Sequence, residues 1–406
     1  MEASAEAEAL TRRRPGNHLV VGALLMLSAV LTGAAPARSA GSPRSFTIAA
    51  GGDVLIHRRI TEVARTGPGT YDFSPMFSSI KPWIEVADLA ICHLEVTLSP
   101  DNTGLSFFPK FVAPYEIADA IAAAGYDTCS IAGNHALDAG WPGVVTTLDF
   151  LDAAGVRHDG TARSPTERLP GLYDVAGVSV AHLSYTYGTN GQPMPRDHPY
   201  ATNIIDADAI LADAEWARDN GAEFVIVSLH WGIENVVRPT GSQVALAETL
   251  LGSPHVDLIL GAHAHVVQPI GMINGKYVVY GMGNQLSNQN GAFGEEYFST
   301  EDGLTVLIRV SERPDGTFAA DGIDIVPTWV RNLDYRVLPV RAALVEEAAP
   351  AGALQASLQR TVSRVRLLDA PGIRLAPEPP PAAPCRCRHS VDEATTVNRR
   401  WEIVLD

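Results

Sequence analysis

From Ser45 onward, apolar strand candidates alternate with amphipathic helical stretches, and that alternation commits the chain to a mainly parallel sheet with helices packed on its faces. Strand candidates lie at 46–50, 87–92, 127–132, 178–183, 224–229 and 276–280, with helix candidates at 115–124, 144–154, 207–219 and 243–251. Residues 304–310 and 321–326 are strand-like with no helix between them, so they read as an antiparallel hairpin with Pro314-Asp315-Gly316 near its turn. The residues alone therefore give an α/β protein with mixed strands.

The segments at the ends of these strands are chemically loaded. Residues 46–50 run into Gly51-Gly52-Asp53, 87–92 into His93-Leu94-Glu95, 127–132 into Gly133-Asn134-His135, and 224–229 into His230-Trp231-Gly232. The run Leu258-Ile259-Leu260 enters Gly261-Ala262-His263-Ala264-His265, and 276–280 enters Gly281-Met282-Gly283-Asn284. Histidines at i and i+2 reach inward together only where the backbone bends, and Gly261 is read as the source of that freedom. Carboxyl ends of parallel strands converge on one edge of a sheet, where active sites form. Asp53, Glu95, Asn134, His230, His263 and His265 would offer carboxylate, amide and imidazole donors there, a set that suits two divalent ions such as Mn, Fe or Zn. Each residue alone also fits a turn, a solvated acid or a core histidine; their joint placement at strand ends is what points to a metal centre.

The formal net charge of −16 excludes a protein that grips nucleic acid non-specifically, because such proteins neutralise phosphates with clustered Lys and Arg. At the N-terminus, Arg12-Arg13-Arg14 precede an apolar run over 19–35 and the small residues Ala35-Pro36-Ala37, the order of a secretory signal peptide over residues 1–40, with an uncleaved anchor left open. The working part is thus expected outside the cytoplasmic membrane, secreted or in the cell envelope. Cys92 and Cys129 lie in apolar runs and read as buried thiols. Beyond residue 341 a helix over 354–368 is expected, then the extended linker Pro377-Glu378-Pro379-Pro380-Pro381 and a disordered tail. Cys385, Cys387 and His389 in that tail have soft-metal chemistry but read as incidental.

The motifs Gly52-Asp53-Val54, Leu94-Glu95, Asn134-His135-Ala136-Leu137-Asp138-x-Gly140, Leu229-His230-Trp231-Gly232 with Glu234, and His263-Ala264-His265-Val266-Val267-Gln268-Pro269 resemble those of the CapA family, the poly-γ-glutamate capsule biosynthesis branch of the calcineurin-like metallophosphoesterases. The loop 185–191 and the Gly283-Asn284 turn are similar too. The resemblance implies a four-layer α/β/β/α sandwich over residues 45–340. It also implies two divalent metal ions held by Asp53, a bridging Glu95, Asn134, His230, His263 and His265, with His135 as acid or charge stabiliser and Asp138 holding its ring. Two departures stand out. The superfamily carries Asp-x-His in the first motif, whereas Leu55 stands at that place and His57 comes two positions later, either as a substitute ligand or as a residue lining the pocket; and the bridging residue is Glu rather than Asp.

Arg58 and Arg59 are candidates to pair with substrate anions, Tyr187 and Trp231 to wall the pocket, and Asn284 to contact substrate. Three functions fit: an exported hydrolase or transferase acting on poly-γ-glutamate or a related anionic cell-surface polymer, a phosphoesterase, or a non-catalytic polymer-binding or export subunit. Membrane capsule-synthesis subunits are the partners that the resemblance implies.

Overall fold

In the strand Ser45–Val54, Phe46, Ile48 and Ala50 face one side while Ala49 faces the other, the period of two that a strand buried on both faces requires. The computed structural model describes residues 43–289 and 299–378. This strand is central in a nine-stranded sheet, flanked by the parallel strand Leu89–Leu94 on one side and the antiparallel strand Asp302–Glu312 on the other. Thr128–Ser130 and Arg157–Asp159 continue the parallel half, and Asp302–Glu312 pairs with Phe318–Val330 as the expected hairpin.

A second sheet of six strands is parallel through Val178–Thr186, Phe224–His230, Leu258–Ala262 and Lys276–Val279, with antiparallel strands at both edges. Phe224, Ile226, Leu258 and Leu260 of this sheet join Ile48 and Ile91 of the first in one apolar cluster. Fully burying such a side chain contributes about 1.5–3 kcal/mol, so this shared layer holds the two sheets face to face. The opposite face of the first sheet is covered by Glu116–Ala124 and Gly140–Ala153 through Ile117, Ile121, Leu148 and Leu151. The outer face of the second is covered by Ala207–Asp219 and Gly241–Gly252 through Ile210, Ala214 and Leu250. Two helical layers enclosing two sheets make the four-layer α/β/β/α sandwich.

Helix starts are set locally. Asp206 accepts the Ala209 N–H at 2.9 Å, and Thr240 and Gln243 form a reciprocal capping box. Gln243 also donates to Gln268 at 3.0 Å, and Gln268 donates to the Val236 carbonyl at 2.7 Å, so the chain leaving the histidine pair is tied to a helix.

After the hairpin, the helix Ala351–Val365 buries Leu354, Ser357, Thr361 and Val365, and Arg360 grips the fully buried Asp302 with two bonds of 2.8 and 3.0 Å. Ile373–Leu375 then adds a parallel strand beside Phe318–Val330. Cys92 and Cys129, expected as free thiols, form a disulfide: they are register partners on adjacent parallel strands with Cα atoms 4.4 Å apart. The expected leader over 1–40 and the tail bearing Cys385, Cys387 and His389 lie outside the described residues.

Candidate metal centre

The two sheets meet the site with their carboxyl ends, and glycines bring the backbones close enough to aim the side chains. A Cβ on Gly52 would stand 1.9 Å from the Gly283 carbonyl oxygen, and one on Gly261 would stand 2.0 Å from that of Tyr280. Gly261 is thus needed for close approach. The bend itself falls on the histidines, where His263 has φ +94° and His265 φ +55°, a correction to the role expected of Gly261. Positive φ at two non-glycine residues is strained and persists only where the surroundings impose it.

That bend delivers both imidazoles to one cluster. Asp53, Glu95 and His265 place one ligand atom each within 4.8 Å of the others, and so do Glu95, His230 and His263. His265 Nδ1 lies 3.1 Å from Asp53 Oδ2 and 3.0 Å from Asn284 Oδ1. His230 Nε2 lies 2.9 Å from Asn134 Oδ1 and 3.7 Å from Glu95 Oε1. The His263 N–H donates to both oxygens of Asp53 at 3.3 Å.

Burial gives these groups unusual proton affinities. It pushes the Glu95 carboxyl well above its ordinary range. Burial would raise Asp53 too, but hydrogen bonding and charge from His265 outweigh it and hold that carboxylate low. Burial drives His230 well below the ordinary imidazole value, His93 below it, and His263 down to about 3. For His265 burial also works downward, yet Glu95 and Asp53 hold it up at about 10.

The residues fit divalent metal. Glu95 is 1% exposed and both of its carboxylate oxygens lack a hydrogen-bond partner, as does the buried Nδ1 of His263. Orphaned buried acceptors beside three imidazoles are costly without a cation, and carboxylate, amide and imidazole donors suit Mn, Fe or Zn.

Other expected residues fall at varying distance from this cluster. His135, beside Asn134, meets Asp138 Oδ2 through Nδ1 at 2.6 Å and packs edge-on against Phe111. Tyr187, 45% exposed, lies over His263 with ring centroids 4.6 Å apart. His57 is not brought to the donors: it precedes the first helix turn with Nδ1 3.1 Å from the Leu55 carbonyl, its ring against Phe111, and burial pushes it down to about 4. Trp231, expected over the pocket, is 3% exposed and donates Nε1–H to the Tyr280 carbonyl within the outer helical core, because the residue after His230 points to the other face of the strand. Asn284 is fully buried and holds His265 rather than facing outward, donating also to the Thr300 carbonyl at 2.9 Å. Arg58 stacks over Phe107 at 4.9 Å.

Two residues of the cluster, His93 and the motif residue Glu234, were given no role from the sequence. His93 Nε2 lies 2.9 Å from His230 Nδ1 and 3.8 Å from Asp53 Oδ1, and Glu234 groups with His263 and His265. A signal existed for His93: it sits two residues before Glu95, so period two puts both on one face.

Residues 47–289 match the family described as Bacterial capsule synthesis protein PGA_cap. The capsule biosynthesis protein CapA of Bacillus anthracis is 25% identical over 302 residues, covering 72% of this chain and 69% of that protein. The PGA biosynthesis protein CapA of Bacillus subtilis is 28% identical over 199 residues, covering 48% of this chain and 50% of its own. Among solved structures, the calcineurin-like phosphoesterase YfkN of Bacillus subtilis matches with a TM-score of 0.42 at 14% identity, over 80% of this chain and 99% of that chain. The chain spans half of the second relative's length and little more than half of two nucleotidase chains of known structure.

Proposed function

Because this chain belongs to the bacterial capsule synthesis family PGA_cap, we propose that it is an exported, metal-dependent hydrolase or transferase acting on poly-γ-glutamate or a related anionic cell-surface polymer. The observation that carries the metal dependence is Glu95, whose two buried, partnerless oxygens stand among His230, His263 and His265. Asp53, Glu95 and His265 would hold one ion, and Glu95, Asn134, His230 and His263 the other. When bound, such ions polarise a carbonyl oxygen and lower the pKa of water, supplying the electrophile and nucleophile for attack on an amide.

The protein's own groups complete the chemistry. Asp138 accepts from Nδ1 of His135, which leaves Nε2 as the atom that exchanges a proton with the leaving group. Phe111 packs on that ring, and its backbone N–H donates to the same Asp138 oxygen at 2.6 Å, so the pair is rigid. Tyr187 covers His263 from the solvent side and shields the centre from bulk water. Arg58 is held over Phe107, on the segment that leads to Phe111, where it supplies a cation for a polymer carboxylate. Export is supported by the Cys92–Cys129 disulfide, since such bonds persist in oxidising compartments.

The test is elemental analysis of the full chain beside Glu95→Ala and His263→Ala, then incubation with poly-γ-glutamate and with a generic phosphoester. Two equivalents of transition metal, falling in both variants, with metal-dependent cleavage or transfer of the polymer, uphold the reading. Turnover of the phosphoester alone replaces it with a phosphoesterase. Polymer binding by metal-free protein without turnover replaces it with a binding subunit.

A further inference from the structure

His93 stands opposite Ser130 across the parallel strands Leu89–Leu94 and Thr128–Ser130, and their side chains meet at 2.8 Å between Nδ1 and Oγ. The Ser130 hydroxyl donates to the Cys92 carbonyl at 3.2 Å, and a carbonyl oxygen only accepts. With the hydroxyl proton on that carbonyl, Ser130 turns a lone pair toward His93 at the closer contact of 2.8 Å. A neutral imidazole has one donor and one acceptor, so His93 carries its proton on Nδ1 and a lone pair on Nε2. That Nε2 lies 2.9 Å from Nδ1 of His230. His230 must then carry its own proton on Nδ1, which leaves a lone pair on its Nε2. This last atom faces Asn134 Oδ1 at 2.9 Å and Glu95 Oε1 at 3.7 Å, both acceptors. Lone pairs converging in a buried space are repulsive until a cation sits among them.

We propose that His93 is the positioning residue of this centre: through the series Cys92 carbonyl, Ser130, His93, His230 it fixes His230 as the Nδ1–H tautomer and presents Nε2 to a divalent ion. The ion rests on the metal-centre reading above, whereas the direction of the relay is set by Ser130 alone. Histidines that bind metal are oriented by a partner to their other ring nitrogen, and here the partner is a second imidazole. Asp53, His93 and His230 also lie close enough to hold an ion, but in the relay the His93 lone pair is occupied by His230, so it orients that ring instead of ligating. The strands that carry the relay are joined one residue away, since Cys92 and Cys129 are the register pair adjacent to His93 and Ser130.

The experiment uses the full chain labelled with 15N-histidine, with and without Zn2+, each ring being assigned by its own variant. Long-range 1H–15N spectra are expected to show His93 and His230 protonated on Nδ1, with the His230 Nε2 resonance moving when Zn2+ binds. His93→Leu should weaken Zn2+ about 10–100-fold in a chelator competition, with the fold retained by circular dichroism. His93→Gln, whose Oε1 accepts the same N–H, should recover most of that loss, which a merely space-filling role would not require. A proton on His230 Nε2 in the loaded protein, or His93→Leu binding Zn2+ like the wild type, overturns the proposal. If the wild type takes up no Zn2+, the metal-centre reading falls, and the relay is judged on the metal-free spectra: Nδ1–H on both rings upholds it and Nε2–H on His230 overturns it.

Discussion

Asp138 accepts the Nδ1–H of His135 at 2.6 Å, and the same carboxylate oxygen accepts the backbone N–H of Phe111 at 2.6 Å. One oxygen thus fixes both the ring and the segment packed on it. His135→Ala is expected to lower turnover of the polymer by about 10²–10⁴-fold, the usual contribution of a positioned acid or base, with metal content unchanged. Steady-state rates beside elemental analysis separate the two effects. A parallel loss of metal would make His135 a ligand instead of a proton donor.

The metal-free protein should be most stable near pH 6.5 and lose stability in both directions. His57 and His263 are held down to about 4 and about 3, so below pH 6.5 the unfolded chain binds protons that the folded chain refuses. Their contribution is present above pH 6.5 and is lost as pH falls toward those values. His265, held up at about 10, does the reverse: its contribution is present below pH 6.5 and is lost as pH rises through 10. Each group changes stability by up to about 1.4 kcal/mol per pH unit within its window. Urea denaturation of chelator-stripped protein across pH 4–9 checks this; a flat profile would contradict it. The same His265 proton must leave when metal binds at neutral pH, so calorimetry in buffers of different ionisation enthalpy should register its release.

Glu95→Gln should abolish metal-induced stabilisation while costing the metal-free fold only the attraction to His265. Neither oxygen of Glu95 has a hydrogen-bond partner, and burial pushes its carboxyl up, so in the absence of metal the loss is confined to the charge it sets against His265. Mn2+ at about 100 times its Kd should stabilise the wild type by about 2.7 kcal/mol and the variant by none. Thermal melts with and without Mn2+ measure both quantities. A variant that melts far below metal-free wild type would give Glu95 a structural role.

Much of this was legible in the chain because period two and strand-end glycines are local signals. The helix Ala207–Asp219 falls on its expected bounds, while the strand Ser45–Val54 runs on through Gly51-Gly52-Asp53, with Asp53 and Val54 pairing to Asn284 and Leu286. What the sequence hid depends on register between distant segments. Cys92 meets Cys129, and His93 meets Ser130, only because two strands align at one offset, which composition does not encode. The outward turn of Trp231 was available from alternation, but a motif residue beside His230 invites a functional reading first. Nothing local announces positive φ at His263 and His265, which follow a Gly261 packed closely on the Tyr280 carbonyl.

The Cys92–Cys129 bond closes a separation of 37 residues. In the chain-entropy account a loop of that size is worth about 3–4 kcal/mol. Cys92→Ala with Cys129→Ala should lose about that much in urea denaturation, and wild type under strong reductant should approach the same midpoint. Unchanged stability in the double variant would mean that the two thiols are unpaired in solution.

Residues 341–378 should prove necessary to the sandwich. Asp302 is fully buried at the start of the strand Asp302–Glu312, and Arg360, on the helix Ala351–Val365, supplies both bonds to its carboxylate. Ending the chain at residue 340 removes that partner together with Leu354 and Val365, which are fully buried. An unpaired buried carboxylate alone costs about 3–5 kcal/mol, and the exposed apolar layer adds to it. A chain of residues 43–340 is therefore expected to aggregate or to melt far below one of residues 43–378. Arg360→Met isolates the polar part, since it keeps the apolar stem and removes only the cation. If the two truncations melt together, Asp302 must find another partner and the C-terminal helix is dispensable to the fold.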